Sequence, residues 1–217
     1  MHLTQKDIKE MDRIKRLNLI NSITGIKPGN LIATQSKNGD SNLAIFSSVV
    51  HLGSNPALIG FILRPFDKVP RHTYQNILDT GKYTINHIHV SFVENAHYTS
   101  AKFEDGESEF EKCGLTKQYL DDFEAPYLLE SYIKLGLKHL ETVHIKANNT
   151  HLVIGEIEHI HIEEDVMTKE GYLNLDCAGT AGIGGLNNYY DLIQVGSFPY
   201  ARVEDVPAFN EKATPTK

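Results

Sequence analysis

The feature that most constrains the fold is a tight reversal at residues 37–40, between two runs of apolar and β-branched residues. Residues 30–36 (NLIATQS) predict one strand, and residues 41–50 (SNLAIFSSVV) predict the next. Asn38-Gly39, at the centre of the reversal, is a dipeptide that two-residue hairpin turns favour, because both turn positions need a positive φ. An antiparallel hairpin is therefore expected early in the chain.

More short strands follow this hairpin. The turn signal Ser54-Asn55-Pro56 precedes a nearly continuous apolar run, which predicts a strand buried on both faces. A turn at residues 147–150 is predicted to join the last two strands. The predicted strands after the hairpin are residues 57–63, 83–88, 141–146 and 151–162.

Helices are predicted in three places only. The segment before Pro28 predicts a short helix, and residues 73–78 predict a second helix that stops at Gly81. Ser91 and Glu94 have capping-box spacing and predict a third helix over residues 91–101. Several short strands with few helices favour a β-barrel or a β-sandwich.

Charge and composition exclude several classes of function. The net charge of −7 at pH 7 disfavours binding to nucleic acid or to an anionic membrane surface. The polar N-terminus is not a signal peptide, and no apolar run is long enough to span a bilayer. Cys113 and Cys177 are far apart and belong to no paired motif. We expect a cytoplasmic, single-domain protein over residues 1–217, with a flexible tail from residue 206.

Two groups of hydrogen-bond donors lie between residues 47 and 102. Arg64 follows a predicted strand, and Arg71-His72-Thr73 opens a predicted helix, where free backbone N–H groups and the helix dipole attract anions. The second group is the run AHYTSAK at residues 96–102, and the pair Ser47-Ser48 precedes both. The first group predicts an anion clamp, with a solvated connection as the alternative.

Other motifs do not predict a site. His87 and His89, and likewise His159 and His161, have a spacing that places each pair on one strand face. Neither pair is accompanied by a closing motif such as HExxH, so half-exposed strand histidines are expected and no metal is predicted. The glycines at 182–185 follow no clear apolar strand and make a weak dinucleotide motif. No GxSxG sequence is present for a hydrolase.

Several separated blocks of the sequence resemble one family in order. They are residues 30–65 (NLIATQSKNGDSNLAIFSSVVHLGSNPALIGFILRP), VPRHTYQNILDTGKYTINHI, ENAHYTSAKF, SEFEKCGLT, THLVIGEIEHI and GGLNNYY. Together they resemble the flavin reductase-like, FMN-binding split-barrel family, which includes flavoredoxin-like proteins. The resemblance covers roughly residues 18–195, the expected core of the domain.

The resemblance implies a mainly β fold, a Greek-key split β-barrel with peripheral helices, that forms a homodimer. FMN rather than FAD is expected, in a groove beside the barrel, with its phosphate held at Arg71 and Thr73. The other residues that the resemblance and the donor groups bring to the cofactor are Ser47, Ser48, Arg64, Asn86, His97, Ser100, Lys102 and Tyr190.

The resemblance also implies a function. His151 begins a strand and is expected to face a nicotinamide, as the candidate catalytic residue. The family often has an arginine in the stretch that residues 180–183 (TAGI) occupy in this chain. A substrate contact made through such an arginine is therefore not expected here. The expected activity is flavin reduction by NADH or NADPH, with a partner monooxygenase as one recipient of the reduced flavin. The alternatives are an FMN electron carrier fed by a protein donor and a non-catalytic flavin-binding protein.

Overall fold

The computed structural model describes residues 1–66, 71–104 and 106–209. The helices are α1 (Gln5–Glu10), α2 (Arg13–Ser22), α3 (His72–Thr80), α4 (Val93–Tyr98) and α5 (Glu109–Lys112), with 3₁₀ turns at Val90–Phe92, Glu164–Val166 and Val203–Asp205. The strands are β1 (Lys27–Pro28), β2 (Asn30–Gln35), β3 (Ser41–Phe46), β4 (Val50–Ser54), β5 (Ala57–Leu63), β6 (Lys82–His87), β7 (Lys117–Gln118), β8 (Tyr127–Leu128), β9 (Ile133–Ile145), β10 (Thr150–Ile162), β11 (Ala181–Gly184) and β12 (Asn188–Asp191). Within these ranges no helix is long and apolar enough to cross a membrane.

Seven antiparallel strands form the main sheet, in the order β3-β2-β6-β9-β10-β5-β4. Its two edge strands, β3 and β4, are consecutive in sequence and are joined by residues 47–49. Phe46 at the end of β3 packs its ring edge against Phe61 of β5, with centroids 5.0 Å apart. The sheet therefore curls until its edges meet, which gives the split barrel that the sequence predicted.

The two faces of β2 and β3 bury separate cores. Leu43 belongs to a cluster with Leu31, Ala96 and Phe110, on the side of α4 and α5. Its neighbour Asn42 instead donates a hydrogen bond to α3. Because successive strand residues point to opposite faces, α3 lies on one side of this sheet region and α4 and α5 lie on the other.

A small sheet, β1-β11-β12, covers the side of α4. The glycine-rich segment at 182–185, for which the sequence predicted no strand, contributes most of β11. Its small residues allow close contact: a Cβ at Gly182 would overlap the side chain of Ile26. Ala181 and Ile183 are buried in the same cluster as Leu31. Packing against β1 thus favours a strand that propensity does not predict.

The early hairpin, the strand at 57–63 and the helix stop at Gly81 are confirmed. β2 and β3 pair up to Gln35 and Ser41, and Gly81 adopts a left-handed φ of 74° directly after α3. The connection of the hairpin is longer than the expected two-residue turn, and Gly39 but not Asn38 has a positive φ. The predicted strand at 41–50 is in fact two strands, because the chain turns at Ser47 to cross from one sheet edge to the other. The expected burial of β5 on both faces is incomplete near β4, where its side chains are only partly covered.

The helix predicted over residues 91–101 is wrong in its start and length. A 3₁₀ turn precedes a shorter helix, α4. His89 is the N-cap of the 3₁₀ turn, with its Nδ1 accepting from the Ser91 amide, and Phe92 is the N-cap of α4. The strand predicted at 141–146 begins at Ile133 instead. Its first half pairs with both β6 and β10 and is buried between them.

Candidate functional site

An anion-binding position lies at the start of α3. Arg71 is the N-cap residue, and its Nε is shielded from solvent with no hydrogen-bond partner among the described residues. The first turn of a helix also presents N–H groups that have no partner within the helix, at the positive end of the dipole. A buried guanidinium N–H without an acceptor is costly, so an anion at this point would satisfy it.

Two hydrogen bonds fix α3 against the sheet. Asn42 of β3 donates to the hydroxyl of Thr73 over 2.9 Å, and Asn76 donates to the hydroxyl of Thr34 over 3.0 Å. All four residues are at least nine-tenths buried. The predicted ligand residue Thr73 therefore points into the sheet interface, and its side chain holds the helix start in place.

The aromatic side chain of His151 lies against the same helix. It is the second residue of β10 and pairs with Leu63, and its ring lies 4.8 Å from Phe66 and 6.5 Å from Tyr74 of α3, measured between centroids. On its other side it stacks on His144 at 4.7 Å and 15°. The resemblance implied only that His151 faces a nicotinamide, and the structure places it beside the helix that carries Arg71.

The side chains of Arg64 and Ser47 have no partner among the described residues. Arg64 directly follows β5; its side chain is exposed and makes no hydrogen bond or ion pair with the residues that the structure describes. Ser47 is half-buried, and its hydroxyl likewise has no partner in the described ranges. Residues 67–70, between Arg64 and Arg71, lie outside the described part of the chain.

Two other predicted ligand residues have structural roles instead. The Ser48 hydroxyl donates to the carbonyl of Ile62 and accepts from its amide, at 3.2 and 3.1 Å, which ties the barrel edges together. Asn86 is fully buried; its amide nitrogen donates to Leu31 and Thr84, and its oxygen accepts from the amide of Leu128. The expected contact of Asn86 with a cofactor is therefore corrected, because every polar atom of its side chain is already used.

One member of the second donor group, His97, contacts a tyrosine that the sequence did not assign to the cofactor. The Nδ1 of His97 lies 3.0 Å from the hydroxyl of Tyr189, whose pKa burial raises to about 12. Ser100 donates to the carbonyl of His97, and Lys102 and Tyr190 are exposed. Tyr189 is the inward-facing neighbour of the predicted Tyr190, and only the strand assignment of residues 188–191 identifies it.

The two donor groups are not brought together within one chain. The His97 group belongs to the α4 side of β2 and β3, through the contact of Tyr189 with the Leu43 cluster. The Arg71 group belongs to the α3 side, through the bond between Asn42 and Thr73. The sheet lies between them, so the single set of ligand residues expected from the sequence becomes two surfaces.

A cavity of about 370 Å³ lies beyond the edge strand β3, between α3 and α5. The Glu109 carboxylate in its wall accepts from the Leu43 amide over 3.0 Å, and burial raises the pKa of this side chain. Its acidic side chains make it a poor site for a phosphate. They are Asp40, Glu104, Glu107, Glu109 and Glu111.

Comparison with known proteins identifies the family. The sequence model of the flavin reductase like domain matches residues 26–177, most of the chain. This protein belongs to the flavin reductase-like family. The match includes each expected site residue from Ser47 to His151, while Tyr190 lies beyond it. The family resemblance read from the sequence is thereby confirmed, and the chain is a flavin-related oxidoreductase by family.

Solved structures of flavin reductase-like proteins share this fold. A protein from Shewanella frigidimarina NCIMB 400, assigned as a flavin reductase with a split barrel domain, is 44% identical, with a TM-score of 0.89 over 93% of this chain and 100% of its own. Nitrilotriacetate monooxygenase component B from Bacillus cereus is 19% identical, with a TM-score of 0.79 over 91% and 98% of the two chains. Flavoredoxin of Desulfovibrio vulgaris (Miyazaki F) is 23% identical, with a TM-score of 0.68 over 83% and 93%. The split-barrel prediction is confirmed.

Proposed function

We propose that this flavin reductase-like protein binds FMN, with the phosphate at the start of α3, and accepts electrons from NADH or NADPH. The observation that carries the proposal is the shielded Nε of Arg71, which has no acceptor among the described residues and lies at a helix N-terminus. A guanidinium paired with a phosphate makes charge-assisted hydrogen bonds, which are among the stronger ones in proteins. Arg64 supplies a second cation, because it directly follows Leu63, the residue of β5 that pairs with His151.

The surface next to the clamp suits the rest of the cofactor. Phe66, Tyr74 and His151 form a contiguous group of rings beside α3, and aromatic faces of this kind stack on planar ligands. Bound FMN would supply the hydride and electron chemistry. The chain's part is to hold the phosphate at Arg71, to orient the cofactor along the ring surface, and to offer the partnerless Nδ1 of His151 toward the nicotinamide.

We further propose a homodimer, in which the His97 surface of one subunit completes the groove of the other. Within one chain the sheet separates the two donor groups, so a second subunit is the simplest way to bring them to one cofactor. The N-terminal helices support this assembly, since α2 buries no residue and exposes Ile14, Leu17 and Ile20. Exposed apolar rows of this kind are typical of interfaces.

The assembly is tested by light scattering. We expect a mass of about twice the 24.4 kDa of one chain. Replacing both Leu17 and Ile20 with Glu should shift the protein toward monomer and weaken FMN binding in parallel. The matched control replaces Lys15 and Asn18, which are exposed on the same helix, with Glu. A monomer that binds FMN at full affinity would contradict the proposed role of the second subunit.

An FMN electron carrier is the second candidate, and one observation favours it. The family often has an arginine where this chain has residues 180–183, and here those residues are buried in or next to β11. No nicotinamide contact is expected from that segment. A carrier would receive its electrons from a protein donor.

The deciding experiment is anaerobic reduction. The purified protein is loaded with FMN, its visible spectrum is recorded, and NADH or NADPH is added without oxygen. Rapid bleaching of the flavin bands by either nucleotide supports the reductase. Tight FMN with no bleaching by either nucleotide supports the carrier. Absence of flavin binding after reconstitution would contradict both.

A further inference from the structure

A cluster of two histidines and one aspartate lies away from the proposed flavin site. His159 and His161 of β10 and Asp121 of the turn between β7 and β8 offer ligand atoms that all lie within 4.8 Å of one another. The two imidazole rings are parallel, with an interplanar angle of 5° and centroids 6.2 Å apart. Imidazole and carboxylate groups converging in this way are the donors that transition metals use in proteins.

Local backbone geometry brings these three side chains together. His159 and His161 are two residues apart on a strand and so point to the same face. A register shift between Ile157 and His159 lets Glu158 bulge out, which sets the direction of both histidines. Asp121 has a left-handed φ of 50°, a conformation that aspartate tolerates better than most residues, and this turns its carboxylate toward β10.

The cluster contains an unsatisfied ligand atom. The Nε2 of His161 is shielded from solvent and has no hydrogen-bond partner in the described ranges. Its nearest charged neighbour is the Asp121 Oδ2 at 3.6 Å, which is too far for a hydrogen bond. Two donors on one tetrahedral zinc ion, each bonded at about 2.1 Å, lie about 3.4 Å apart. The separation of Nε2 and Oδ2 already fits an ion between them.

Aromatic packing holds both imidazoles in place. Phe123 meets the ring of His159 edge-on at 5.3 Å, and Tyr127 meets the ring of His161 edge-on at 5.0 Å. Gly136, the residue opposite His159 on β9, leaves room for this, because a Cβ there would lie 3.2 Å from Phe123 and would overlap the Tyr127 hydroxyl. Ligands fixed by packing lose little entropy when they bind a metal.

We propose that His159, His161 and Asp121 bind a divalent transition-metal ion of the zinc class. Two nitrogens and one oxygen suit Zn²⁺, Co²⁺ or Ni²⁺ better than Mg²⁺ or Ca²⁺, which prefer oxygen-only sites. Because Asp121 is exposed, the ion keeps a position for water. The hydroxyl of Tyr127, buried and without a partner among the described residues, could donate to that water.

The site's role is structural rather than redox. His159 is eight residues along β10 from His151, a separation of about 26 Å at 3.3 Å per strand residue. An ion there cannot touch a flavin held at α3. It would instead fasten the turn between β7 and β8 to β10. In the described structure the Asp121 side chain makes no hydrogen bond to β10 that could do this.

The test is a titration of chelator-treated, FMN-loaded protein with Zn²⁺ by calorimetry and with Co²⁺ by visible spectroscopy. We expect one ion per chain, with affinity falling at least tenfold in His161→Ala, His159→Ala and Asp121→Asn. The control His51→Ala removes an exposed strand histidine outside the cluster and should bind as the unmodified protein does.

Two results would overturn the proposal: no stoichiometric binding to the unmodified protein, or binding that none of the three cluster variants weakens. Asp121→Asn keeps the volume of an exposed turn residue, so it reports on binding even if the histidine variants fold poorly. A rise in melting temperature on adding Zn²⁺, absent in Asp121→Asn and present in His51→Ala, gives a second readout. The FMN spectrum should stay unchanged throughout, which separates this test from that of flavin binding.

Discussion

Asn42 of the edge strand β3 donates a hydrogen bond from its side-chain amide to the hydroxyl of Thr73, across 2.9 Å in a buried environment. This bond joins the strand to the first turn of the helix that carries Arg71. The position of the proposed phosphate clamp therefore depends on a residue that never touches the cofactor.

Replacing Asn42 with Ala should lower the free energy of unfolding by about 1–3 kcal/mol, the usual cost of leaving a buried polar group unpaired. FMN affinity should fall as well, because the start of α3 is released. Urea unfolding and flavin titration measure the two effects, with the exposed Asn187→Ala as the control. Full stability and affinity in Asn42→Ala would show that the strand does not position the clamp.

His87 should make the protein sensitive to acid. Its Nδ1 is shielded and has no partner among the described residues, and burial lowers the pKa of the imidazole from 6.5 to about 4. The folded state therefore binds fewer protons than the unfolded state between these values. Stability is complete above about pH 6.5 and falls as the pH drops toward 4, by up to about 3 kcal/mol in all.

The measurement is urea unfolding at several pH values between about 4 and 7. His87→Gln should flatten the decline over this window, whatever its effect on stability at neutral pH. The exposed His51→Gln should leave the slope as it is. An equal slope in His87→Gln and the unmodified protein would assign the acid sensitivity to other groups.

Gly155 of β10 should tolerate no side chain. A Cβ there would overlap the hydroxyl of Tyr83 and lie 2.9 Å from its Cζ and 3.1 Å from the carbonyl of Lys138. Since Tyr83 is fully buried, it has little room to move. Gly155→Ala should cost about 1–3 kcal/mol of stability, the range for overpacked cores.

The same contact predicts a partial rescue. The Tyr83 hydroxyl is buried without a partner in the described structure, so Tyr83→Phe should be neutral or should stabilise the protein by about 1 kcal/mol. When Tyr83 is already Phe, Gly155→Ala should lower the free energy of unfolding less than it does in the unmodified protein, because the overlapping oxygen is gone. Additive losses in this double-mutant cycle would contradict the assigned overlap.

His151 should affect electron transfer more than cofactor binding. His151→Phe keeps a ring against Phe66 and Tyr74 but removes the nitrogen, so we expect near-normal FMN affinity and slower reduction by NADH or NADPH. His151→Ala should lose some FMN affinity too, through lost packing, by about 1 kcal/mol. Stopped-flow measurement of the reduction rate, together with flavin titration, distinguishes the two variants. Unchanged reduction rates in both variants, with both nucleotides, would remove His151 from the mechanism.

Local patterns predicted the elements whose signals are contained in a few neighbouring residues. The Asn38-Gly39 turn, the strand at 57–63 and the helix stop at Gly81 each depend on backbone conformations that adjacent residues dictate. The start of α3 was predicted within one residue, and the anion clamp expected there stays a prediction. The family resemblance extended these pieces to the whole barrel.

Contacts between distant segments were beyond such patterns. Asn86 resembles a surface ligand in sequence, but it is buried because Leu31 and Leu128 come from strands far along the chain. The convergence of Asp121 with His161 likewise depends on a turn and a bulge that bring separate strands together. The spacing of His159 and His161 placed both side chains on one strand face, but the sequence predicted no metal there and gave no indication of Asp121.

The central claim is that Arg71 binds the phosphate of FMN, and paired titrations with FMN and riboflavin test it most directly. Arg71→Ala should weaken FMN binding by about 1.5–3 kcal/mol, the range for a hydrogen bond to a charged group, or about tenfold to hundredfold in the dissociation constant. Riboflavin, which lacks the phosphate, should bind the variant and the unmodified protein alike, and the exposed Arg202→Ala should change neither affinity. Equal losses for FMN and riboflavin in Arg71→Ala, or no loss for FMN, would contradict the account.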